Sequence, residues 1–117
     1  MELITLEELN KNYDKYKKKF VRVLGYYENN TLYTPDKTLS VDSPPNHYLS
    51  ISYCLNKMKQ QDYRGMMEVV GMPSATPDAR KSISYIVKIE LLDDNERVTD
   101  VFVNRKIQMP KELRGKI

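Results

Sequence analysis

Two neighbouring stretches that each predict a strand constrain the fold of this chain more than any other feature. In "SISYIVKIELL" every second residue is apolar (Ile83, Tyr85, Val87, Ile89, Leu91), and Ser84, Lys88 and Glu90 fall between them; Ile86 is the exception. A period of two predicts a strand with one buried face. The preceding stretch "MMEVVGM" also reads as a strand, and "PSATPDARK" joins the two. We therefore predict a hairpin.

Other segments add shorter strands. "KFVRVLGYY" is rich in β-branched and aromatic residues, and a turn at Asn29–Asn30 separates it from a short strand around Leu32 and Tyr33. "HYLSISYCL" alternates between His47 and Leu55, which predicts another strand. Gly25 and Gly71 lie within predicted strands, where glycine is typical of a bulge or bend.

Both ends of the chain carry helical patterns. Thr5 and Glu8 have the spacing of a capping box, and Leu6, Leu9, Tyr13 and Tyr16 follow at helical intervals, which predicts a leader helix over 1–18. After Leu92 the period changes, and Asp93, Asp94 or Asn95 is placed to cap a second helix over 94–107. The remaining residues, 108–117, are predicted to be a tail.

Composition sets the broad class. The chain has 117 residues with a net charge of +3, which fits one domain and permits, without demanding, an anionic partner. The single Cys54 rules out an internal disulfide and any CxxC motif, which favours a reducing compartment. We see no secretory signal and no apolar run long enough to span a membrane, so we expect a nuclear or cytosolic protein.

No catalytic constellation is visible. His47 is the one histidine and is best explained structurally, and Cys54 is best explained as a small packing residue. The acidic residues around Asp93 and Asp94 have two explanations, a cation site or, preferably, a favourable charge at a helix N-terminus. We therefore predict no enzyme activity, no cofactor and no metal site.

Three features suggest binding. "KYKKKF" places Lys15, Lys17, Lys18 and Lys19 ahead of Arg22, Tyr26 and Tyr27, a mixture of cations and rings suited to single-stranded nucleic acid; the alternative is a solvated basic turn. The loop "PSATPDARK", with Arg80 and Lys81, is a second candidate. The third is the apolar stripe of the last predicted helix, which covers either this domain's core or a second chain.

The predicted elements follow one another as a helix, two or three strands, a connector, two strands and a helix. This order predicts a five-stranded barrel, closed or partly open. The segments "KKFVRVLGYYEN", "LYTPDKTLSVD", "LSISYCL", "YRGMMEVVGMPSAT" and "SYIVKIELLDD" resemble the smallest OB-fold subunits of single-strand-binding complexes. These are the small subunit of replication protein A and its telomeric counterpart in the CST capping complex. "VRVLG" and "GMMEVVG" are the most specific pieces of this resemblance.

The resemblance implies a single OB-fold domain over 1–117, a five-stranded Greek-key barrel whose C-terminal helix docks with a larger OB-fold partner in an obligate heterodimer. The implied interface consists of Val98, Val101, Phe102 and Ile107. The implied contacts with single-stranded DNA, weak in the isolated chain, are Lys19, Arg22, Tyr26, Tyr27, Tyr33 and Lys88. The last predicted helix is shorter and more polar than this pattern requires.

The function we expect is an accessory subunit of a single-stranded-DNA-binding complex that protects telomere ends, located in the nucleus at chromosome ends. The alternatives are the small subunit of replication protein A, a free-standing OB-fold that binds single-stranded nucleic acid, and a protein-interaction barrel with no role on nucleic acid. A steep dependence of affinity on salt distinguishes phosphate contacts from an apolar interface.

Overall fold

In the computed structural model, which describes residues 3–45, 47–74, 80–108 and Lys111, seven strands form one sheet and three short helices accompany it. The strands are β1 (Leu3–Thr5), β2 (Val21–Glu28), β3 (Thr31–Tyr33), β4 (Ser40–Asp42), β5 (Gly65–Pro73), β6 (Ile83–Leu92) and β7 (Val98–Val103). The helices are α1 (Leu6–Lys11), α2 (Tyr13–Tyr16) and α3 (Ile51–Lys57).

The core lies against one face of β2, β5 and β6. Along β2 the buried and half-buried residues alternate without a break, so Val21, Val23 and Tyr27 face inward. Met67, Val69, Ile89 and Leu91 bury the matching positions of β5 and β6. The alternation predicted from sequence for β6 is confirmed from Val87 to Leu91, and it is typical of a sheet with one covered face.

The sheet follows the order β4-β3-β2-β5-β6-β7, and its neighbours on this path are antiparallel. β1 lies parallel to β2 and shares its edge with β3, because β1 pairs with residues 22–24 and β3 pairs with residues 26–28. Among the described residues the ladders do not close the sheet. A single parallel bridge from Asp42 to Ser82 joins β4 to the start of β6.

A bulge in β6 exchanges the facing of Tyr85 and Ile86, whereas Ile83 keeps its predicted buried position. Val70 pairs with Lys88 and Met72 with Ser84, so three residues of β6 stand opposite Gly71. Tyr85 takes a positive φ of 53° and is exposed, whereas Ile86 is fully buried. A Cβ on Gly71 would lie 2.7 Å from Ile86 Cδ1 and 2.9 Å from the Ser84 carbonyl oxygen, so the bulge needs glycine there. The predicted bend at Gly71 is confirmed, while the ladder runs through Gly25 without a shift.

The single leader helix predicted over 1–18 is wrong. Thr5 caps a helix as expected, since its Oγ1 accepts a hydrogen bond from the Glu8 N–H at 3.0 Å. However, Leu3–Thr5 forms β1, and Asn12 leaves helical geometry (φ −119°, ψ 39°) and separates α1 from α2. The predicted apolar positions Leu6, Leu9 and Tyr13 are buried.

The strand predicted for residues 47–55 is also wrong, because α3 occupies most of it. Ser50 caps this helix through a hydrogen bond from the Tyr53 N–H to its Oγ, and Ile51, Cys54 and Leu55 are buried at helical spacing. The apolar residues of this short segment fit both the period of a strand and the period of a helix. The Ser50 cap stabilises the start of the helix and so favours it.

The helix predicted over 94–107 is replaced by a hairpin. Asp93 Oδ1 accepts hydrogen bonds from the Asn95 and Arg97 N–H groups, which closes a tight turn instead of capping a helix. The residues that follow are mainly β-branched and form β7 at the edge of the sheet. Most of the predicted tail lies outside the described residues.

The predicted fold class is therefore confirmed in its coarse form, a mostly β structure with few helices, whose open sheet is compatible with a barrel-like fold. The five-strand count and the C-terminal helix are wrong.

Candidate nucleic-acid interface

The side of the sheet that faces away from the core, here called the outer face, carries four of the predicted nucleic-acid contacts. Paired residues of antiparallel strands point to the same side, so the register places Arg22, Tyr26, Tyr33 and Lys88 together with their cross-strand partners. All four are half-buried, in contrast to the buried residues between them along the strands.

An aromatic pair lies at the centre of the candidate site. Tyr26 on β2 and Tyr33 on β3 are direct cross-strand partners. The Lys37 ammonium lies 5.0 Å from the centroid of the Tyr26 ring and 6.0 Å from that of Tyr33. Two rings beside a cation are a platform on which bases stack while the cation meets a phosphate.

The turn that holds Lys37 over the rings is built on Asp36. Asp36 Oδ1 accepts hydrogen bonds from the Thr34 hydroxyl at 2.7 Å and from both the hydroxyl and the N–H of Thr38. These bonds, with the Thr34 hydroxyl the strongest contributor, lower the pKa of Asp36 from its usual 3.8 to about 2. Lys37 adopts a positive φ of 60°, and its N–H donates to the Thr34 carbonyl at 2.8 Å.

The cations of the outer face are neutralised by neighbouring carboxylates. Arg22 pairs with Glu68, and Lys88 Nζ lies 2.8 Å from Glu90. Lys37 Nζ lies 3.2 Å from Glu28. The face therefore offers rings and apolar surface with little net charge, so the stacking of bases is its main means of binding.

Two predicted contacts lie elsewhere. Tyr27 is only 4% exposed and belongs to the core, where burial raises the pKa of its hydroxyl. Tyr27 therefore cannot stack on a base, and the prediction that it contacts nucleic acid is wrong. The alternation along β2 places its side chain on the buried face. Lys19 is exposed in the turn ahead of β2 and is not part of the outer face.

The residues predicted to form a partner interface lie on β7 and just after it. Val98 and Val101 are 49% and 47% exposed. They pair with Leu92 and Glu90, so both lie on the outer face. Phe102 pairs with Ile89 and packs against the core, and Ile107 is half-buried beyond the strand.

Sequence reasoning missed Lys37. The available signal was "TPDKT", in which an aspartate between two threonines directly after Tyr33 indicates an Asp-centred turn. His47 is exposed and stacks on Tyr48 at a centroid distance of 4.7 Å. Cys54 is fully buried, and burial raises the pKa of its thiol to about 12.

Within the described residues, no group of three or more His, Cys, Asp or Glu side chains is placed to hold a metal ion. The same part of the chain contains no helix that is both long and apolar enough to cross a membrane. Compared with known proteins, the chain matches no family model, no curated protein and no solved structure.

Proposed function

We propose that this chain is an OB-fold module that binds single-stranded nucleic acid through Tyr26, Tyr33 and Lys37. The observation that carries the proposal is the cross-strand tyrosine pair with a lysine above both rings. Stacking of this kind contributes about 1–3 kcal/mol per base and is tolerant of sequence.

The connectivity of the sheet supports the OB-fold part of the proposal. β2, β3 and β4 form a meander, α3 follows, and β5 and β6 return beside β2, with the Asp42–Ser82 bridge across the remaining gap. A partly open five-stranded barrel that binds oligonucleotides across its second and third strands has this arrangement. In this assignment β2 to β6 are the five barrel strands, and β1 and β7 are additions at its edges.

The biological role that we propose is an accessory subunit of a single-stranded-DNA-binding complex at telomere ends in the nucleus, as the sequence resemblance implies. A larger OB-fold partner would then contact β7 instead of a helix. Val98 and Val101 support this placement, because two half-exposed valines on an edge strand form an apolar surface suited to strand pairing.

Fluorescence anisotropy with a labelled oligothymidylate tests the binding proposal. Tyr26→Ala and Tyr33→Ala are each expected to weaken binding by roughly 5- to 150-fold, the equivalent of about 1–3 kcal/mol. Tyr48→Ala is the matched control, since Tyr48 is 46% exposed but lies in the loop ahead of α3. Equal losses in all three variants, or no binding by the unmodified chain, would refute the proposal.

Affinity purification from the native cells tests the partner. We expect one larger OB-fold protein at equal stoichiometry, and its loss with Val101→Asp. If the chain is recovered with general replication proteins, the telomeric role is wrong and the chain is the small subunit of replication protein A instead. A chain recovered alone would exclude the heterodimer.

A further inference from the structure

A basic pocket lies at the junction of α1 and α2, away from the paired charges of the outer face. Its volume is about 470 Å³, and its charged lining residues are Lys11, Asp14, Lys15, Lys17 and Lys81. We call it the lysine pocket. Its size falls in the range of ordinary small-molecule sites, which is more than a single phosphate group needs.

The charges that line the lysine pocket sum to the same value as the net charge of the chain. Four lysines against one aspartate give its lining a net charge of +3, which equals the net charge of the complete chain at pH 7. The rest of the chain is therefore neutral on balance. Within the described residues, Lys17 pairs with Asp14 at 3.6 Å, while Lys11 and Lys15 form no ion pair.

Contacts between distant segments fix the shape of the pocket. The Tyr13 hydroxyl donates to the Ser82 carbonyl at 2.8 Å and accepts from the Ser82 N–H at 3.2 Å, which ties the helix junction to the start of β6. Lys81 Nζ donates to the Asn10 carbonyl oxygen at 2.6 Å and lies 3.3 Å from Asn10 Oδ1. The pocket is thus preorganised, which lowers the cost of ordering it on binding.

A chain of contacts links the pocket to the aromatic pair. Asn10 Nδ2 donates to the Ser40 carbonyl at 2.6 Å, and Ser40 is the cross-strand partner of Tyr33. The route from Tyr26 to the pocket therefore crosses β3, β4 and Asn10. Neighbouring strands lie about 4.8 Å apart, so the route is short.

We propose that the lysine pocket binds backbone phosphates of the same single strand whose bases stack on Tyr26 and Tyr33. This inference rests on the proposed function and deepens it, because it separates the part of the site that holds charge from the part that holds bases. Lysine ammonium groups are suitable partners for phosphate oxygens, and their contacts release counterions from the strand.

The test is the salt dependence of oligothymidylate binding, measured by anisotropy over a series of KCl concentrations. The triple variant Lys11→Gln, Lys15→Gln, Lys81→Gln is expected to reduce the steepness of log K against log salt concentration by about 2, since each lost phosphate contact on a single strand is worth about 0.7. The double variant Lys11→Gln, Lys15→Gln keeps the Lys81–Asn10 contact and is expected to give a smaller reduction, about 1.4.

A matched control removes the same charge elsewhere. Lys57→Gln, Lys59→Gln and Lys106→Gln replace three exposed lysines outside the pocket, so the total charge changes equally. The slope is expected to stay close to that of the unmodified chain. An equal reduction in this control, or an unchanged slope in the pocket variants, would overturn the proposal.

An inorganic probe separates failure of the pocket from failure of the proposed function. Tripolyphosphate added to ¹⁵N-labelled protein is expected to shift the amide signals of residues 10–17 and 81 saturably. If oligothymidylate does not bind, the proposed function fails, and the same titration still decides whether the pocket takes phosphate. Absence of these shifts, or displacement of tripolyphosphate by polyglutamate but not by oligothymidylate, would overturn the proposal.

Discussion

The outer face of the sheet and the lysine pocket both carry cations, but the two regions hold them in opposite ways. On the outer face Arg22, Lys88 and Lys37 each lie beside a glutamate. The pocket is lined by four lysines and one aspartate, and the recorded ion pair among them is that of Lys17 with Asp14. A single-strand site needs both stacking surfaces and phosphate contacts. We infer that the bases of a bound strand stack on the sheet and that its phosphates bind at the helix junction.

The largest effect on the free energy of unfolding is expected when a hydrogen bond that shapes the pocket is removed and every lysine stays in place. Tyr13→Phe removes the hydroxyl that accepts from the Ser82 N–H, and a buried donor left without its acceptor costs about 1–3 kcal/mol. Urea unfolding is expected to show that loss in the free energy of unfolding. Tyr16→Phe is the control, because its hydroxyl donates to the carboxylate of the half-buried Glu8 and does not accept from a buried backbone N–H among the described residues. Equal losses in both variants would contradict the special position of Tyr13.

Removing a carboxylate from the outer face is expected to make that face resemble the pocket. Glu28→Gln leaves Lys37 without its partner carboxylate, so Lys37 becomes available to a phosphate. The slope of log K against log salt should steepen by about 0.7, and the affinity at low salt should rise. Glu96→Gln makes the same change in net charge in the β6–β7 turn and should leave the slope unchanged. A slope that does not respond to Glu28→Gln would show that Lys37 makes no phosphate contact.

A smaller, pH-dependent effect is expected at Asp36. Because its pKa is lowered from 3.8 to about 2, the ionised carboxylate stabilises the Lys37 turn above about pH 4, and this stabilisation disappears as the pH falls towards 2. The melting temperature of the unmodified chain should exceed that of Asp36→Ala at neutral pH. The difference should shrink between about pH 4 and pH 2. A difference that is constant over this range would contradict the hydrogen-bonded turn.

No reaction at all is expected at Cys54 in the native protein. Its thiol is buried, and with a pKa raised to about 12 it forms almost no thiolate at neutral pH. Iodoacetamide should label it only as fast as the chain unfolds, and the lysine and glutamate variants should give the same slow rate. Rapid labelling in one variant would show that its effect on binding comes from a disturbed fold and not from a lost contact.

The sequence predicts some of these features for clear physical reasons. β6 alternates over enough residues for its period of two to predict a strand, whereas the apolar residues of 47–55 fit both a strand and a helix. In the last segment Asp93, Asp94 or Asn95 is predicted to cap a helix, but aspartate accepts backbone hydrogen bonds equally well in a tight turn, as Asp93 does, and the following valines favour a strand.

The candidate site was predictable only in part. Tyr26 and Tyr33 are candidates from composition, and counting from Val21 and Val23 along β2 would have placed Tyr27 in the core. The pairing of Tyr26 with Tyr33 depends on the register set by the Asn29–Asn30 turn. The pocket joins Asn10 to Lys81 across 71 positions of sequence, a contact that no local pattern encodes.

The most direct test of the division between stacking and charge is an amide-shift map of ¹⁵N-labelled protein titrated with oligothymidylate. We expect saturable shifts in two groups of described residues, one around Tyr26, Tyr33 and Lys37 and the other around residues 10–17 and Lys81. Both groups should titrate with one dissociation constant, because one strand contacts both. Shifts confined to β7 or α3, or two groups that titrate with different constants, would contradict this division.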